Sequence, residues 1–372
     1  MNTDHKKRFV PTDEIYLLNH SVGRPPVNTA EIWSDAFLAP WREQGEDVWP
    51  CWLSGISNFK EALARLFSGE AKDFCPQVNL SSALTKILQS LPMDTARNTI
   101  VYSEEDFPSI AFVLQQAQRV GYTLRAIAGG QDSTDAAHWG SSFDERTAIV
   151  LLTHVHSNTG RQVPVEAITR AAREQGIVSI VDIAQSAGCV PIDLRAWSAD
   201  FVIGSCVKWL CGGPGAGFLW VTPEKQASSE PLDVGWFSHE NPFEFDSNNF
   251  RYAQDADRFW GGTPSVQPFV VAANSIQTIC DIGVENIRRH NLSLTQRLIG
   301  ALPTGNLVTP VEPDHRGGTL VVRFEEDSLG AVTDRLEAHK VLFDVRPTGI
   351  RLSPHIYNDE AEIDITAGCL GS

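Results

Sequence analysis

Three short apolar runs, crowded between Ile177 and Val221, constrain this chain more than any other feature. Ile177-Val178-Ser179-Ile180-Val181 ends in Asp182, and Asp200-Phe201-Val202-Ile203-Gly204 leads through Ser205 to Lys208. A third run, Gly215 to Val221, follows directly. Apolar segments this short, bounded by glycine, proline and aspartate, read as strands buried on both faces. Laid side by side in one sheet, they would deliver a carboxylate and an amine to a common crevice at the strand ends.

A lysine forms a Schiff base with an aldehyde, and a carboxylate keeps a pyridine nitrogen protonated. Together they suit pyridoxal phosphate, whose ring serves as an electron sink. Alone, Asp182 and Lys208 would read as a surface ion pair. They stand, however, in a longer pattern from Asp182 to Gly215: D-x-A-x-S-A-G, I-D, a D-F strand, S-x-x-K and G-G-P-G. That pattern resembles the class V aminotransferase superfamily of fold-type-I pyridoxal phosphate enzymes. The resemblance makes Lys208 the Schiff-base lysine and the proton shuttle at the substrate's α carbon. It makes Asp182 the pyridinium partner, Ser205 a phosphate contact and Gln185 a donor to the cofactor's phenolic oxygen.

The resemblance runs from about Ile15 to Asp364. Asn19 and His20, in the Ile15–Pro26 segment, are placed to touch substrate, although a surface turn explains them equally well. Ser81 and Ser82, at the start of a helix read over Ala83–Leu91, serve as its cap and as phosphate contacts. Phe107, in Phe107-Pro108-Ser109, would cover one face of the cofactor ring, as in kynureninases, which carry Asp where this chain has Ile110. After a strand over Ala148–Leu152, either His156 or Asn158 would reach the ring. Trp236, in Gly235-Trp236-Phe237-Ser238-His239, resembles a phosphate-binding tryptophan of kynureninases. Thr263, in Arg258-Phe259-Trp260-Gly261-Gly262-Thr263-Pro264, resembles a threonine that reaches the neighbouring subunit's phosphate. Arg351, in Arg351-Leu352-Ser353-Pro354-His355-Ile356-Tyr357-Asn358, is the expected clamp on the substrate's α-carboxylate, gripped by two parallel hydrogen bonds.

The expected fold is α/β. As the resemblance implies, residues 26–266 would form a large domain around a mainly parallel seven-stranded sheet. Residues 1–25 and 267–372 would form a small α+β domain from both chain ends. A length of 372 residues exceeds what one core fills, in keeping with two lobes. A net charge of −16, with no basic cluster longer than Lys6-Lys7-Arg8, argues against nucleic acid and anionic membranes as partners. No apolar run is long enough to span a bilayer, and no apolar segment follows the first basic residues, so neither a membrane span nor a secretory signal is expected. Seven cysteines without C-x-x-C suggest a reduced, cytoplasmic protein. Two histidines at 154 and 156 without a third ligand do not suggest a metal.

The expected activity is that of a pyridoxal phosphate enzyme acting on the α-amino group of a small amino acid, as a homodimer with shared sites. Aminotransferase is the broad reading. A kynureninase-type hydrolase is the alternative, against which stand Val207 in place of tyrosine, Ile110 and Gln185. Cysteine desulfurase is disfavoured because no cysteine lies between Arg346 and Arg351. A non-catalytic binding protein on the same fold is disfavoured by the joint presence of Asp182, Lys208 and Arg351.

Overall fold

The computed structural model describes residues 5–43, 47–302 and 305–371. In chain order the first elements are β1 (Ile15–Tyr16), α1 (Thr29–Trp33), α2 (Ala39–Arg42), α3 (Trp49–Phe67), β2 (Phe74–Gln77) and α4 (Leu80–Ser90). There follow β3 (Thr99–Ser103), α5 (Pro108–Ala117), β4 (Thr123–Ile127), α6 (Ala136–Ser141), β5 (Thr147–Thr153), α7 (Val165–Glu174) and β6 (Val178–Asp182). Then come β7 (Phe201–Ser205), β8 (Gly217–Val221), α8 (Pro223–Ser228), α9 (Gln267–Ile282) and α10 (Val284–Ala301). The chain closes with β9 (Leu320–Val322), α11 (Glu326–Ala338), β10 (Val341–Leu342), β11 (Asp344–Arg346), β12 (Gly349–Leu352) and α12 (Glu360–Gly371).

The central sheet has seven strands in the order β2-β8-β7-β6-β5-β3-β4. The five strands from β7 to β4 run parallel, while β8 and β2 are antiparallel to their neighbours. The apolar runs of β6, β7 and β8 are continuous because helices cover both faces of the sheet. Alternate residues feed opposite layers, as the two-residue strand period requires. Val181, Val202, Phe218 and Trp220 pack with Phe59 and Phe67 of α3 and Phe269 of α9. Ile180, Phe201, Ile203, Leu219 and Val221 pack with Ile87 of α4 and Leu114 of α5. A third core joins the N-terminal Ile15 and Leu17 to α10, α11, α12 and the small strands. There β11-β12-β9 form an antiparallel sheet, and β1 pairs with β10. No helix among the described residues is long and apolar enough to cross a membrane.

Helices α9 and α10 are separated at Gly283, whose φ of 87° is left-handed. A π-helical segment, Ser34–Leu38, joins α1 to α2. Strands β10 and β11 are close in sequence but belong to different sheets. The helix α4 starts at Leu80 rather than Ala83, and its cap is Asn79, whose side chain accepts from the Ser82 N–H at 2.8 Å. Ser81 and Ser82 therefore lie within the first turn and do not cap it.

Candidate functional site

The parallel strands end together and leave a cavity at their carboxyl edge, as open α/β sheets do. It is lined by Asp182 from the end of β6, Ser205 from the end of β7, and Lys208 from the turn that follows. Strands β6 and β7 are neighbours, with Asp182 paired in register to Ile203, so the sheet itself sets the spacing of the acid and the amine. Phe107, Ser81, Thr153, Ser157 and Gln185 complete much of the wall. A larger groove of about 600 Å³ lies between α1, α3 and α9, but none of these groups faces it.

Lys208 is half-buried, and its Nζ lies 5.5 Å from the centroid of the Phe107 ring. Burial pushes the Lys208 amine below its ordinary value; Asp182 opposes that shift and Arg351 adds to it. A lysine so placed holds more of the neutral, nucleophilic amine at neutral pH. Asp182 is buried, and its Oδ1 accepts the Ala184 N–H at 2.7 Å. Burial pushes its carboxyl up, against the Ala184 N–H and Lys208, which pull it down. A buried carboxylate raised in this way gains from a facing cation.

The N-terminal segment is sewn onto the lysine turn. The Gly23 N–H donates to the Val207 carbonyl at 2.8 Å. A Cβ on Gly23 would run into the Lys208 carbonyl oxygen and Cys211 Sγ. Gly23→Ala is therefore expected to cost about 1–3 kcal/mol of stability. It should also slow uptake of cofactor, which chemical denaturation and absorbance of the reconstituted protein would show. A stability unchanged from the parent would contradict this packing.

Behind Asp182 sits a second buried acid. Burial pushes the Asp106 carboxyl up to about 7; Asp182 and Glu105 add to the rise, while the Thr153 hydroxyl and the Ser103 N–H oppose it. An acid raised on folding contributes stability that is full below its unfolded value, near 3.8, and is lost as pH rises through the folded value. Relative to the parent, Asp106→Asn should thus gain stability between pH 4 and pH 8, on the order of 2–4 kcal/mol. Denaturant unfolding of both proteins across that range is the check, and a pH-independent difference would refute it.

Gln185 lines the cavity with its amide partly committed. Its Nε2 donates to the His20 carbonyl at 3.0 Å, and its Oε1 accepts from the Trp209 indole at 3.2 Å, which leaves one amide N–H. Ser81 faces the cavity, whereas Ser82 is not part of its wall. Of the segment after β5, it is Val155 and Ser157 that line the cavity, not His156 or Asn158. Asn19 and His20 are buried. Asn19 accepts from the Tyr357 hydroxyl, and its Nδ2 is buried without a partner. His20 is bonded to Ser353 Oγ at 2.6 Å and to Asp344 at 3.0 Å.

Trp236 and Thr263 do come together, the indole Nε1 donating to Thr263 Oγ1 at 3.2 Å, but outside the wall of the Lys208 cavity. Their surroundings are the rings of Trp49, Phe237, Phe243 and Phe245. Arg351 is 3% exposed on β12, and its Nη1 donates to the Ser157 carbonyl at 3.1 Å. Its Nε and Nη2 grip Asp344, a residue that the sequence reading missed. The signal was there: the turn at Pro347-Thr348 sets Arg346 opposite Gly349 and so Asp344 opposite Arg351.

The residues present fit pyridoxal phosphate. Ser157 lines the cavity, and its Oγ is buried without a hydrogen-bond partner. Asp182 is a buried anion, Lys208 a half-buried amine, and Phe107 offers an aromatic face to the same space.

The family model described as "Aminotransferase class-V" matches residues 78–365. A kynureninase of Deinococcus radiodurans is 30% identical over 330 residues, covering 84% of this chain and 78% of its own. An uncharacterized aminotransferase of Bacillus subtilis is 28% identical over 339 residues, covering 88% and 89%. Among solved structures, the apo cysteine desulfurase of Thermococcus onnurineus superposes with a TM-score of 0.87 at 20% identity, covering 98% of this chain and 96% of that one. A C-DES mutant with glycine covalently linked to its PLP cofactor superposes with a TM-score of 0.88 at 20% identity, covering 97% of each chain.

Proposed function

The chain belongs to the class-V aminotransferase family of pyridoxal-phosphate-dependent enzymes, and from that premise we propose that it acts on the α-amino group of an amino acid, with Lys208 as the cofactor-bearing residue. One observation carries the reading: Asp182 and Lys208, delivered by adjacent strands, line one cavity, and the lysine amine is held below its ordinary value. When bound, pyridoxal phosphate supplies an electron sink for the bond broken at the α carbon.

The chain's own residues have the following roles in this reading. Lys208 holds the cofactor and, once released, moves the proton at the substrate's α carbon. Asp182 keeps the ring nitrogen protonated, and the Ala184 N–H fixes the orientation of its carboxylate. Phe107 would cover the cofactor ring from one side, and the remaining N–H of Gln185 would be available to its phenolic oxygen. Ser81, Ser205 and the first turn of α4 receive the phosphate, because unpaired amides at a helix start favour an anion. Arg351, reaching the cavity wall at Ser157, orients the substrate's carboxylate. Trp236 and Thr263 lie outside this chain's cavity and are assigned to the site of a second copy, making a homodimer the active form. We assign residues 26–266 to a large domain and 1–25 with 267–372 to a small one; residues 1–4, 44–46, 303–304 and 372 lie outside those described.

Aminotransferase is the leading reaction. Kynureninase-type cleavage is the second reading, supported by Phe107 beside Lys208 and by the Trp236–Thr263 pair. Against desulfurase chemistry, no cysteine lies between Arg346 and Arg351, and Cys206 and Cys211, either side of Lys208, are buried, with burial pushing both thiols up. Reconstituted holoenzyme should be mixed with single amino acids, kynurenine included, without any keto-acid acceptor, and the products read by mass spectrometry. One equivalent of 2-oxo acid per site is the expected result. Continuous release of alanine from kynurenine would instead establish the second reading. No product from any amino acid would overturn both.

A further inference from the structure

Arg351 is not an open fork. Its Nε donates to Asp344 Oδ1 at 2.7 Å, its Nη2 donates to Asp344 Oδ2, and its Nη1 donates to the Ser157 carbonyl. Three of the five N–H groups of the guanidinium are thus engaged, and the side-on edge that takes a carboxylate bidentately is filled by a carboxylate of the same chain. The pair is set by the hairpin register, Asp344 standing directly opposite Arg351. It adjoins the cavity at two points. Arg351 bonds Ser157, and His20, which also bonds Asp344, receives the Gln185 N–H.

The two partners are not held alike. Arg351 is buried on β12, the middle strand of β11-β12-β9, and its side chain is 4% exposed. Asp344 stands on β11, a three-residue edge strand, and its side chain is 25% exposed. Burial pushes the Asp344 carboxyl up, but the hydrogen bonds from Arg351 and His20 outweigh it and hold the group well below the usual carboxylate range. It is therefore a charged acceptor of the same kind as a substrate carboxylate. A receiving cation is also in place. Arg346, half-exposed on the same strand, has its Nε 3.2 Å from Asp344 Oδ2.

We propose that Asp344 is an internal competitor for the carboxylate fork of Arg351, displaced toward Arg346 when a substrate carboxylate binds, and that it sets how strongly the site selects carboxylate-bearing amines. The proposal rests on the reading of Arg351 as the substrate's carboxylate contact. An arginine already neutralised by its own chain holds a carboxylate weakly, so selection falls to other parts of the substrate. Where the fork is freed, the carboxylate itself dominates.

The test is calorimetric binding of 3-phenylpropionate, a carboxylate with no amino group to react, to the holoenzyme. Asp344→Asn is expected to bind it about tenfold more tightly than the parent, the low end of what one charge-assisted hydrogen bond is worth. Equal or weaker binding by a folded Asp344→Asn protein would overturn the competitor role and make Asp344 a residue that only positions Arg351. Should that variant fail to fold, Arg346→Gln decides. Removing the receiving cation should weaken probe binding severalfold, and unchanged binding overturns the proposal. Arg351→Ala separates this from the underlying reading. Loss of probe binding there upholds Arg351 as the contact, whereas unchanged binding removes the premise itself.

Discussion

Lys208→Ala is expected to abolish covalent attachment of the cofactor and to lower turnover by roughly 10³–10⁴-fold or more, the range that a combined nucleophile and proton carrier supplies. The fold should survive. The lysine sits half-buried in a turn at the edge of the sheet, while the turn is held by its backbone and by apolar neighbours. The Cys206 N–H donates to the Ala216 carbonyl at 2.9 Å, the Gly212 N–H donates to the Cys206 carbonyl at 2.7 Å, and Trp209 and Leu210 are buried. The check is turnover and cofactor absorbance on a variant whose unfolding midpoint matches the parent. Substantial turnover from such a protein would mean that another group carries the chemistry.

Asp182→Asn should have the second largest effect, a fall in turnover of about 10²–10³-fold. An amide keeps the shape and accepts the Ala184 N–H, but it carries no charge to hold a pyridine nitrogen protonated. The loss should fall on kcat, with carboxylate binding at Arg351 left intact, because the two groups lie on different elements, β6 and β12. Without cofactor, the variant should be no less stable than the parent above neutral pH. Burial raises the Asp182 carboxyl, so its stabilising contribution is lost as pH rises. A normal kcat for Asp182→Asn would remove Asp182 from the electron-sink role.

The part of the fold that the sequence reveals is the part where one physical rule acts alone. Strands β5 to β8 are apolar almost throughout because both faces are covered, so their runs are visible without knowing their partners. The side-by-side placing of β6 and β7, and with it the meeting of Asp182 with Lys208, follows from those runs, whereas the seven-strand, mainly parallel sheet is what the family resemblance implies. The edge strands are much less legible. Phe74-Cys75-Pro76-Gln77 of β2 carries a proline that fits only at an edge, and β4 presents Arg125 toward Asp144. The break at Gly283 hides inside an apolar helical period, where one glycine is ordinarily tolerated.

The site divides the same way. Residues on the sheet edge, Asp182, Ser205 and Lys208, lie where the strand pattern puts them, and Phe107 and Gln185 join them from the adjoining loops. Ser157 faces the cavity in place of His156 or Asn158, because local backbone rather than residue type decides which side chain of that loop turns inward. Asp344 reaches Arg351 through a hairpin pairing between two short strands, β11 and β12. Trp236 and Thr263 are brought to each other by distant segments, outside the wall of the Lys208 cavity.

The most direct test of the central claim is to reduce the pyridoxal-phosphate-loaded protein with borohydride, digest it with trypsin and locate the label by mass spectrometry. A modified Lys208 resists cleavage, so the account predicts one labelled peptide spanning residues 196–225, uncut after Lys208. A label on another lysine, such as Lys86 or Lys60, or no stable label at all, would contradict it.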